Sequence, residues 1–192
     1  SQLTRELEET QNESNQLKES LENQRTKALT DPLTKLPNRQ AYDERLSIEY
    51  RRWRRYNTSL SLIMGDIDLF KDINDKFGHI TGDVALRETA KIFTDEIRET
   101  DFVARFGGEE FIILMPETNL TDAVKAVNKI RKIIKNNPIQ NEGDGFQLTM
   151  SFGVAAFAEN DTCSDVLSRA DKAMYRAKKK GRDQVCVQRK ET

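Results

Sequence analysis

Two adjacent glycines followed by two glutamates, Gly107 to Glu110, separate apolar runs at residues 102–106 and 111–115. A Gly-Gly pair reaches the left-handed backbone conformation at little cost, and this pattern is typical of a β-hairpin with a tight turn. We therefore expect a strand on each side of the turn, with Glu109 and Glu110 at its tip. Two adjacent carboxylates there are suited to a cation, although solvent-facing glutamates on an ordinary hairpin would give the same pattern.

A second acidic tip follows the apolar run at residues 59–67, which predicts a largely buried strand. Asp66 and Asp68 flank Ile67 at the end of this run. If the two tips meet in a sheet, their oxygens can hold one or two Mg²⁺ ions, which usually complete their coordination with waters and substrate phosphates. The pattern therefore points to phosphoryl or nucleotidyl transfer.

A set of short motifs follows in order from about Asp31 to Val187. The motifs are residues 31–39 (DPLTKLPNR), 66–75 (DIDLFKDIND), 77–79 (FGH), 82–83 (GD), 107–111 (GGEEF), 151–153 (SFG) and 170–182 (ADKAMYRAKKKGR). Each motif alone is weak, but the ordered set resembles a GGDEF-domain diguanylate cyclase in its GGEEF variant. One departure is Lys35, where the family usually has glycine. Because Lys35 lies away from the acidic tips, it casts little doubt on the chemistry.

The resemblance implies an α+β fold with a mixed central five-stranded sheet wrapped by helices, similar to the polymerase palm and to class III nucleotide cyclases, preceded by a long helix. The hydrophobic patterns of the chain agree with this plan. They predict helix 38–56, strand 59–67, helices near 71–77 and 82–97, hairpin 102–115, helix 120–136, strand 146–156, helix 164–179 ended by Gly181, and a short last strand with Val185 and Val187. Strand 59–67 and the hairpin are expected to be neighbours.

Residues 1–29 contain no glycine, proline or aromatic residue and predict a long polar helix. Its a and d heptad positions are Leu3, Leu7, Thr10, Ser14, Leu17, Leu21, Gln24 and Ala28. We interpret this segment as the stalk of a parallel dimer, with a single solvated helix as the alternative. The chain is thus divided into a helical coiled-coil stalk, residues 1–29, and a GGDEF catalytic domain, residues 30–192.

The resemblance implies a metal site at the acidic tips. Asp66, the backbone carbonyl of Ile67 and Glu109 are expected to bind Mg²⁺ or Mn²⁺, with Glu110 as an additional ligand. Glu109 and Glu110 are also the candidate catalytic residues, Glu109 as a base. Asp68 is a weaker candidate ligand, because we expect strand alternation to point its side chain opposite to that of Asp66.

The expected substrate is GTP. The residues at the start of the helix that follows strand 59–67 offer free backbone N–H groups to phosphate, and Lys178 and Arg182 match the family's pair for the β- and γ-phosphates. Basic residues at a helix C-terminus also simply complement the helix dipole. The helix-start residues are Leu69, Phe70 and Lys71.

Recognition of guanine requires a carboxylate and an amide together, since the base presents N–H donors beside an oxygen acceptor. Asn74 and Asp83 supply these groups and match the family's guanine contacts. Apart from the resemblance, Asn74 reads as a turn residue and Asp83 as an acid in the first turn of a helix.

Arg98 and Asp101 match the family's Arg-x-x-Asp inhibitory site by their fixed offset from the Gly-Gly turn. The resemblance implies that this pair binds the product, cyclic di-GMP, and inhibits the enzyme. Apart from the resemblance, the pair is interpreted as an arginine at the end of a helix and a capping aspartate.

The reaction needs two nucleotides, and the chain contains one site, so the expected productive unit is a two-fold homodimer. Two other readings stay open. One is a catalytically silent module that binds GTP or cyclic di-GMP as a sensor, and the other is a purine cyclase with a monocyclic product.

The net charge of −1 and the pI near 6.0 argue against a nucleic-acid polymer as partner. Cys163 and Cys186 show neither metal-ligand spacing nor a disulfide framework, which fits the cytoplasm. No apolar run approaches the ~20 residues that span a bilayer. Because the chain opens with Ser1 inside a helical pattern, we expect a piece of a longer protein whose upstream sensory or receiver region is missing and could act as a tether.

Overall fold

The computed structural model describes residues 2–140 and 145–190. Within these residues, helices cover both faces of one five-stranded sheet. The helices are α1 (Gln2–Leu29), α2 (Arg39–Tyr56), α3 (Phe70–Phe77), α4 (His79–Glu96), α5 (Leu120–Asn136) and α6 (Cys163–Lys179). The strands are β1 (Leu60–Ile67), β2 (Phe102–Arg105), β3 (Glu110–Pro116), β4 (Met150–Ala156) and β5 (Val185–Val187).

The sheet has the strand order β2-β3-β1-β4-β5. β1 lies at its centre and pairs antiparallel with both β3 and β4, β2 and β3 form the predicted hairpin, and β5 runs parallel to β4. The prediction of an α+β fold with a mixed five-stranded sheet is confirmed. So is the prediction that the strand before Asp66 neighbours the hairpin.

Side chains alternate between two apolar cores along β1, as the two-residue period of a strand requires. Ile63 and Ile67 face a core that includes side chains of α3, α4 and α5. Leu62 and Met64 face the opposite core, which is built with α2 and α6. Burying one such side chain fully contributes about 1.5–3 kcal/mol, so both layers of helices hold the end of β1 in place.

Helix α6 lies unusually close to the sheet, because small residues face each other there. A Cβ atom added at Gly153 on β4 would stand 2.0 Å from the carbonyl oxygen of Ala170 and 2.2 Å from the amide nitrogen of Met174. Ala170 and Ala173 are fully buried in this contact. The backbone of α6, which carries Lys178, is therefore held directly against β4.

The predicted long N-terminal helix is present as α1, and its apolar seam is uncovered in the single chain. The four leucines of that seam remain about 70% exposed; they are Leu3, Leu7, Leu17 and Leu21. Among the described residues, the polar contacts from α1 to other elements lie near its end. Arg25 pairs with Glu44, and Asn38 donates from its side chain to the carbonyl of Ala28 and from its backbone to that of Leu29. None of the described helices is long and apolar enough to cross a membrane.

Two predicted boundaries were wrong. α4 begins at His79 rather than at residue 82, because Gly78, with a φ of 85°, is the only residue between α3 and α4. β4 begins at Met150 rather than at residue 146, since Phe146 instead forms an isolated bridge with Ile139. The predicted domain limits also take in Ser1, residues 141–144 and residues 191–192, which lie outside the described residues.

Candidate active site

The two acidic tips meet at one end of the sheet. Asp66 is the second-last residue of β1 and pairs with Glu110, the first residue of β3. The next backbone hydrogen bond, 3.2 Å from the amide of Ile67 to the carbonyl of Glu109, brings the tip of the turn beside the strand end. Sequence alone predicted this meeting, and the pairing register accounts for it.

The first glycine of the Gly-Gly turn provides space rather than a left-handed backbone conformation. Of the glycines in the described residues, only Gly78 and Gly181 have a positive φ, so the expectation that Gly107 and Gly108 use the left-handed region was wrong. A Cβ atom at Gly107 would instead lie 2.6 Å from a carboxylate oxygen of Glu110. The missing side chain lets the Glu110 carboxylate fold back over the turn.

Arg105 ties this turn to the junction between α1 and α2, a role that sequence analysis did not assign. Its guanidinium donates to the carbonyl of Gly108 at 2.7 and 3.1 Å and to the carboxylate of Asp31 at 3.1 and 3.2 Å. Both side chains of the Asp31 ion pair are about 15% exposed. The available signal was an arginine directly before the turn and an aspartate at the end of the predicted stalk.

Asp66 is a buried carboxylate in an acidic neighbourhood. It is 4% exposed, and burial raises its pKa to about 6. The ammonium of Lys178, 2.7 Å from Oδ1, opposes this rise, whereas the negative charges of Glu109 and Glu110 add to it. A nearby cation therefore stabilises the ionised form of this buried carboxylate, and Lys178 supplies part of that positive charge.

The oxygen atoms at the acidic tips suit a hard cation such as Mg²⁺, whose remaining ligands come from water and substrate. Within residues 2–140 and 145–190, no three acidic, histidine or cysteine side chains stand together as a preformed metal cluster. Mg²⁺ commonly needs only one or two carboxylates, together with waters and phosphates. Asp66 and Glu109, with the carbonyl of Ile67, fit this requirement, and Glu110 stands next to them as a further oxygen donor.

Two residues separate the end of β1 from the start of α3. Leu69 precedes it in a left-handed conformation, with a φ of 55°, and no side chain caps the helix. Phe70 packs against the core, whereas Leu69 and Lys71 are exposed. The uncapped backbone N–H groups of this turn are therefore available to an anion near the acidic tips.

The two candidate guanine contacts lie on the paired helices α3 and α4. Asn74 is half-buried, and a Cβ atom at Gly82 would stand 2.0 Å from its side-chain oxygen. Gly82 thus leaves the space in which the amide of Asn74 packs against α4. Asp83, the next residue, lies in the second turn of α4, which removes its reading as a first-turn acid.

Lys178 and Arg182 stand on either side of the end of α6. Gly181 ends the helix in the left-handed region, as predicted, with a φ of 111°. Lys178 reaches back to Asp66, so more than the helix dipole fixes its position. Arg182 is exposed, and its side chain forms no ion pair with any residue that the structure describes.

Asp68 is engaged away from the acidic tips, as expected, but the expected reason was wrong. Residues two apart along a strand share a face, so alternation does not separate Asp68 from Asp66. β1 ends at Ile67, and both oxygens of the buried Asp68 carboxylate accept hydrogen bonds. The donors are the hydroxyls of Ser151 at 2.7 Å and Thr149 at 2.8 Å, and the amide of Asp183 at 3.0 Å.

Arg98 and Asp101 form a second candidate site, in the connection between α4 and β2. Asp101 accepts from the amide of Arg98 at 3.1 Å, its other carboxylate oxygen is buried without a partner, and burial raises its pKa. Exposed Arg98 lies beside it on a groove of about 540 Å³. Lys35 also lines this groove with a φ of 62°, a conformation that suits glycine.

Comparisons with known proteins agree with this arrangement. The family described as "Diguanylate cyclase, GGDEF domain" matches residues 28–184. Diguanylate cyclase DgcP of Pseudomonas aeruginosa is 47% identical over 167 residues, which cover 87% of this chain and 25% of that protein. Response regulator PleD of Caulobacter vibrioides is 38% identical over 172 residues, which cover 88% of this chain and 38% of that protein. The chain thus spans well under half the length of these two relatives.

A solved structure also matches almost the whole chain. The coiled coil and GGDEF domain of DgcB from Caulobacter crescentus, in complex with c-di-GMP, superposes with a TM-score of 0.91. The match has 30% sequence identity and covers 98% of this chain and 100% of that chain. The long N-terminal helix is therefore part of the likeness, together with the sheet.

Proposed function

Since this chain belongs to the GGDEF family of diguanylate cyclases, we propose that it condenses two molecules of GTP into cyclic di-GMP and releases pyrophosphate. The observation that carries the proposal is the meeting of Asp66 with Glu109 and Glu110 beside Lys178. Acidic oxygens and a lysine at one point serve a nucleotide that carries both a metal ion and a triphosphate. We place the reaction in the cytoplasm, where GTP is available.

We assign the substrate groups to separate residues of the chain. Asn74 and Asp83 hold the guanine edge, Lys178 and Arg182 hold the β- and γ-phosphates, and the start of α3, with Leu69, Phe70 and Lys71, donates backbone N–H groups to phosphate. Mg²⁺ or Mn²⁺, held by Asp66, the carbonyl of Ile67 and Glu109 with help from Glu110, would stabilise charge on the α-phosphate and help ionise the 3′-hydroxyl.

Glu109 takes the further role of base. It accepts the proton of the attacking 3′-hydroxyl, a bond forms between the 3′-oxygen and the α-phosphorus, and the bond from that phosphorus to the bridging oxygen of the β-phosphate breaks. Lys178 and Arg182 offset the negative charge that collects on the departing pyrophosphate. Each chain holds one nucleotide, so two chains must face each other with their sites together.

Product analysis tests the function. The purified chain, incubated with GTP and Mg²⁺ or Mn²⁺, is expected to yield cyclic di-GMP and pyrophosphate, identified by mass spectrometry. Cyclic GMP as the product would identify a purine cyclase instead. Nucleotide binding without turnover, at concentrations that favour the dimer, would identify a sensor module.

We propose that α1 is the stalk of a parallel homodimer and that the remainder, residues 30–192, is the catalytic domain. The exposed leucine seam of α1 supports this, because burial against a second copy would remove it from water. A stalk raises the effective concentration of one domain near the other. It therefore supplies the encounter between half-sites that the reaction needs.

Deleting residues 1–24 is expected to lower specific activity at nanomolar protein and to restore much of it as the protein is concentrated. This truncation keeps residues 25–29, whose end is hydrogen-bonded to Asn38. Initial rates measured across a dilution series give the result. A strong parallel coiled coil fused in the same heptad register should substitute for the deleted stalk. Specific activity that is independent of both stalk and concentration would contradict the dimer.

We also propose that cyclic di-GMP inhibits the enzyme by binding at Arg98 and Asp101. The guanidinium of Arg98 can bind guanine O6 and N7 or a phosphate, and the unpartnered oxygen of Asp101 can accept from the guanine N–H donors. The groove beside them has room for a base. A product dimer that bridges two domains there would keep their half-sites apart.

Arg98→Ala is expected to leave the initial rate largely unchanged and to weaken inhibition by cyclic di-GMP roughly 10- to 100-fold, the effect of losing a charge-assisted hydrogen bond. Progress curves with and without added cyclic di-GMP measure this change. Arg87→Ala, at an exposed position on α4, is the matched control and should be inhibited normally. Equal inhibition of the Arg98 variant and the unchanged chain would exclude Arg98 from the regulatory site.

A further inference from the structure

The segment that follows α6 has a strained backbone. Gly181, Arg182 and Asp183 have φ values of 111°, 64° and 45° in succession. A left-handed conformation costs a non-glycine residue about 1–2 kcal/mol, and such strain persists only where the surrounding structure imposes it. Arg182, a proposed phosphate contact, lies at the centre of this segment.

Contacts to both Arg182 and Asp183 hold this conformation. The amide of Arg182 donates to the carbonyl of Ala177 at 3.0 Å, and its carbonyl accepts from the side chain of Gln184 at 3.1 Å. The ionic contacts belong to Asp183. Its carboxylate forms ion pairs with Arg131 and with Lys135, at 2.6 Å for the lysine, and both partners lie on α5. Arg131 also donates to the backbone carbonyl of Asp183 at 2.9 Å. The amide of Asp183 donates to the carboxylate of Asp68 at 3.0 Å. Within the described residues, the side chain of Arg182 makes no ion pair, so its backbone is held by the end of α6 on one side and by Asp183 on the other.

Asp68 is a rigid anchor for this contact. It is 5% exposed, its carboxylate also accepts from Ser151 and Thr149, and its own amide donates to the carbonyl of Thr149 at 2.9 Å. It stands two residues after Asp66, at the same end of β1. The strand end therefore contacts the region of both proposed phosphate-binding residues: Asp66 pairs with Lys178, and Asp68 holds the backbone next to Arg182.

We propose that Asp68 and Asp183 are positioning residues, which set Arg182 for the outer phosphates of the nucleotide without touching the nucleotide themselves. This inference rests on the proposed function, in which Arg182 binds the triphosphate. Its consequence is selective: losing either carboxylate weakens the grip on the β- and γ-phosphates and leaves the guanosine and α-phosphate contacts intact.

Calorimetry with two probes tests the proposal on the whole chain in the presence of Mg²⁺. One probe is a GTP analogue with a methylene group between the α- and β-phosphorus atoms, and the other is GMP. Asp183→Asn and Asp68→Asn are each expected to raise the Kd of the analogue roughly 10-fold, about the loss of one charge-assisted contact, and to leave the Kd of GMP within about 2-fold. Asp183 lies on a surface connection, so its variant should fold even if the Asp68 variant does not.

A double-mutant cycle separates positioning from general destabilisation. In an Arg182→Ala background, Asp183→Asn should have no further effect on the Kd of the analogue. Thr149→Val, which removes another donor to Asp68 and leaves the Asp183 contact, is the matched control and should bind the analogue normally.

Three results would overturn the inference. An equal loss of affinity for GMP and for the analogue would indicate a structural role only. So would an Asp183→Asn substitution that weakens analogue binding equally in the unchanged chain and in the Arg182→Ala background. Undiminished binding of the analogue by Asp183→Asn would remove the role altogether. If the unchanged chain bound neither probe, the proposed function itself would be wrong. That result differs from the one that excludes the positioning role, in which the unchanged chain and the Asp183 variant bind the analogue equally well.

Discussion

Replacing Glu109 with glutamine is expected to lower the rate of cyclic di-GMP formation by on the order of 10²-fold or more, as for the loss of one group that acts mainly on the transition state. The amide keeps the size of the side chain but loses the charge that binds the metal and the ability to accept the proton. Asn74 and Asp83 are untouched, so GTP should still bind. Steady-state rates together with GTP binding by calorimetry measure the two effects separately.

The matched control is Glu117→Gln. Glu117 lies just past the other end of β3 and is well exposed, so the same chemical change there should leave the rate nearly unchanged. Near-normal turnover by the Glu109 variant would show that the metal and base assignments are wrong. A loss of GTP binding equal to the loss of rate would mean that Glu109 serves the ground state rather than the transition state.

Gly153→Ala is expected to lower the free energy of unfolding by about 3 kcal/mol or more, at the upper end for overpacked cores. The added methyl group would meet the backbone of α6 at 2.0 and 2.2 Å, and no rotation of a side chain can relieve such a contact. α6 must then move away from β4 and expose part of the opposite core. For a domain of this size, we expect a fall in Tm of roughly 6–12 °C, measured by thermal unfolding.

Gly108→Ala provides the comparison for stability. A Cβ atom at Gly108 meets nothing within 4 Å, and its φ does not lie in the left-handed region, so its free energy of unfolding should change by at most about 0.5 kcal/mol. A Gly153 variant as stable as the Gly108 variant would contradict the close packing of α6. Because α6 carries Lys178, the Gly153 variant should also bind GTP more weakly.

Local periodicity was enough to predict which segments are helices or strands, since burial on one or two faces leaves a repeat of 3.6 or 2 residues. It failed where a boundary depends on a distant partner or on one backbone angle. Phe146 continues the alternation of β4, yet it pairs with Ile139, and α4 begins without a capping side chain directly after Gly78. Neither feature leaves a periodic trace in the chain.

The candidate site divides in the same way. The acidic residues at the two strand ends could be predicted from the sequence, because charged side chains directly beside apolar runs are easily recognised. The supporting contacts could not, since they join residues far apart in the chain: Arg105 with Asp31, and Asp68 with Asp183. Such partners meet only in the folded chain, where Arg105 also donates from its backbone to the carbonyl of Pro37 and α6 packs against β4.

The central place of β1 in the sheet affects how the chain must fold. Both strands that pair with β1 come later in the chain, so Asp66 reaches its neighbours Glu110 and Ser151 only after long loops have closed. Such non-local pairing slows folding. Until β3 and β4 have been made, the apolar residues of β1 form an unpaired segment that is prone to aggregate during synthesis. The strand that bears the buried carboxylate is thus the first of this sheet to be synthesised, and its pairing waits for both β3 and β4.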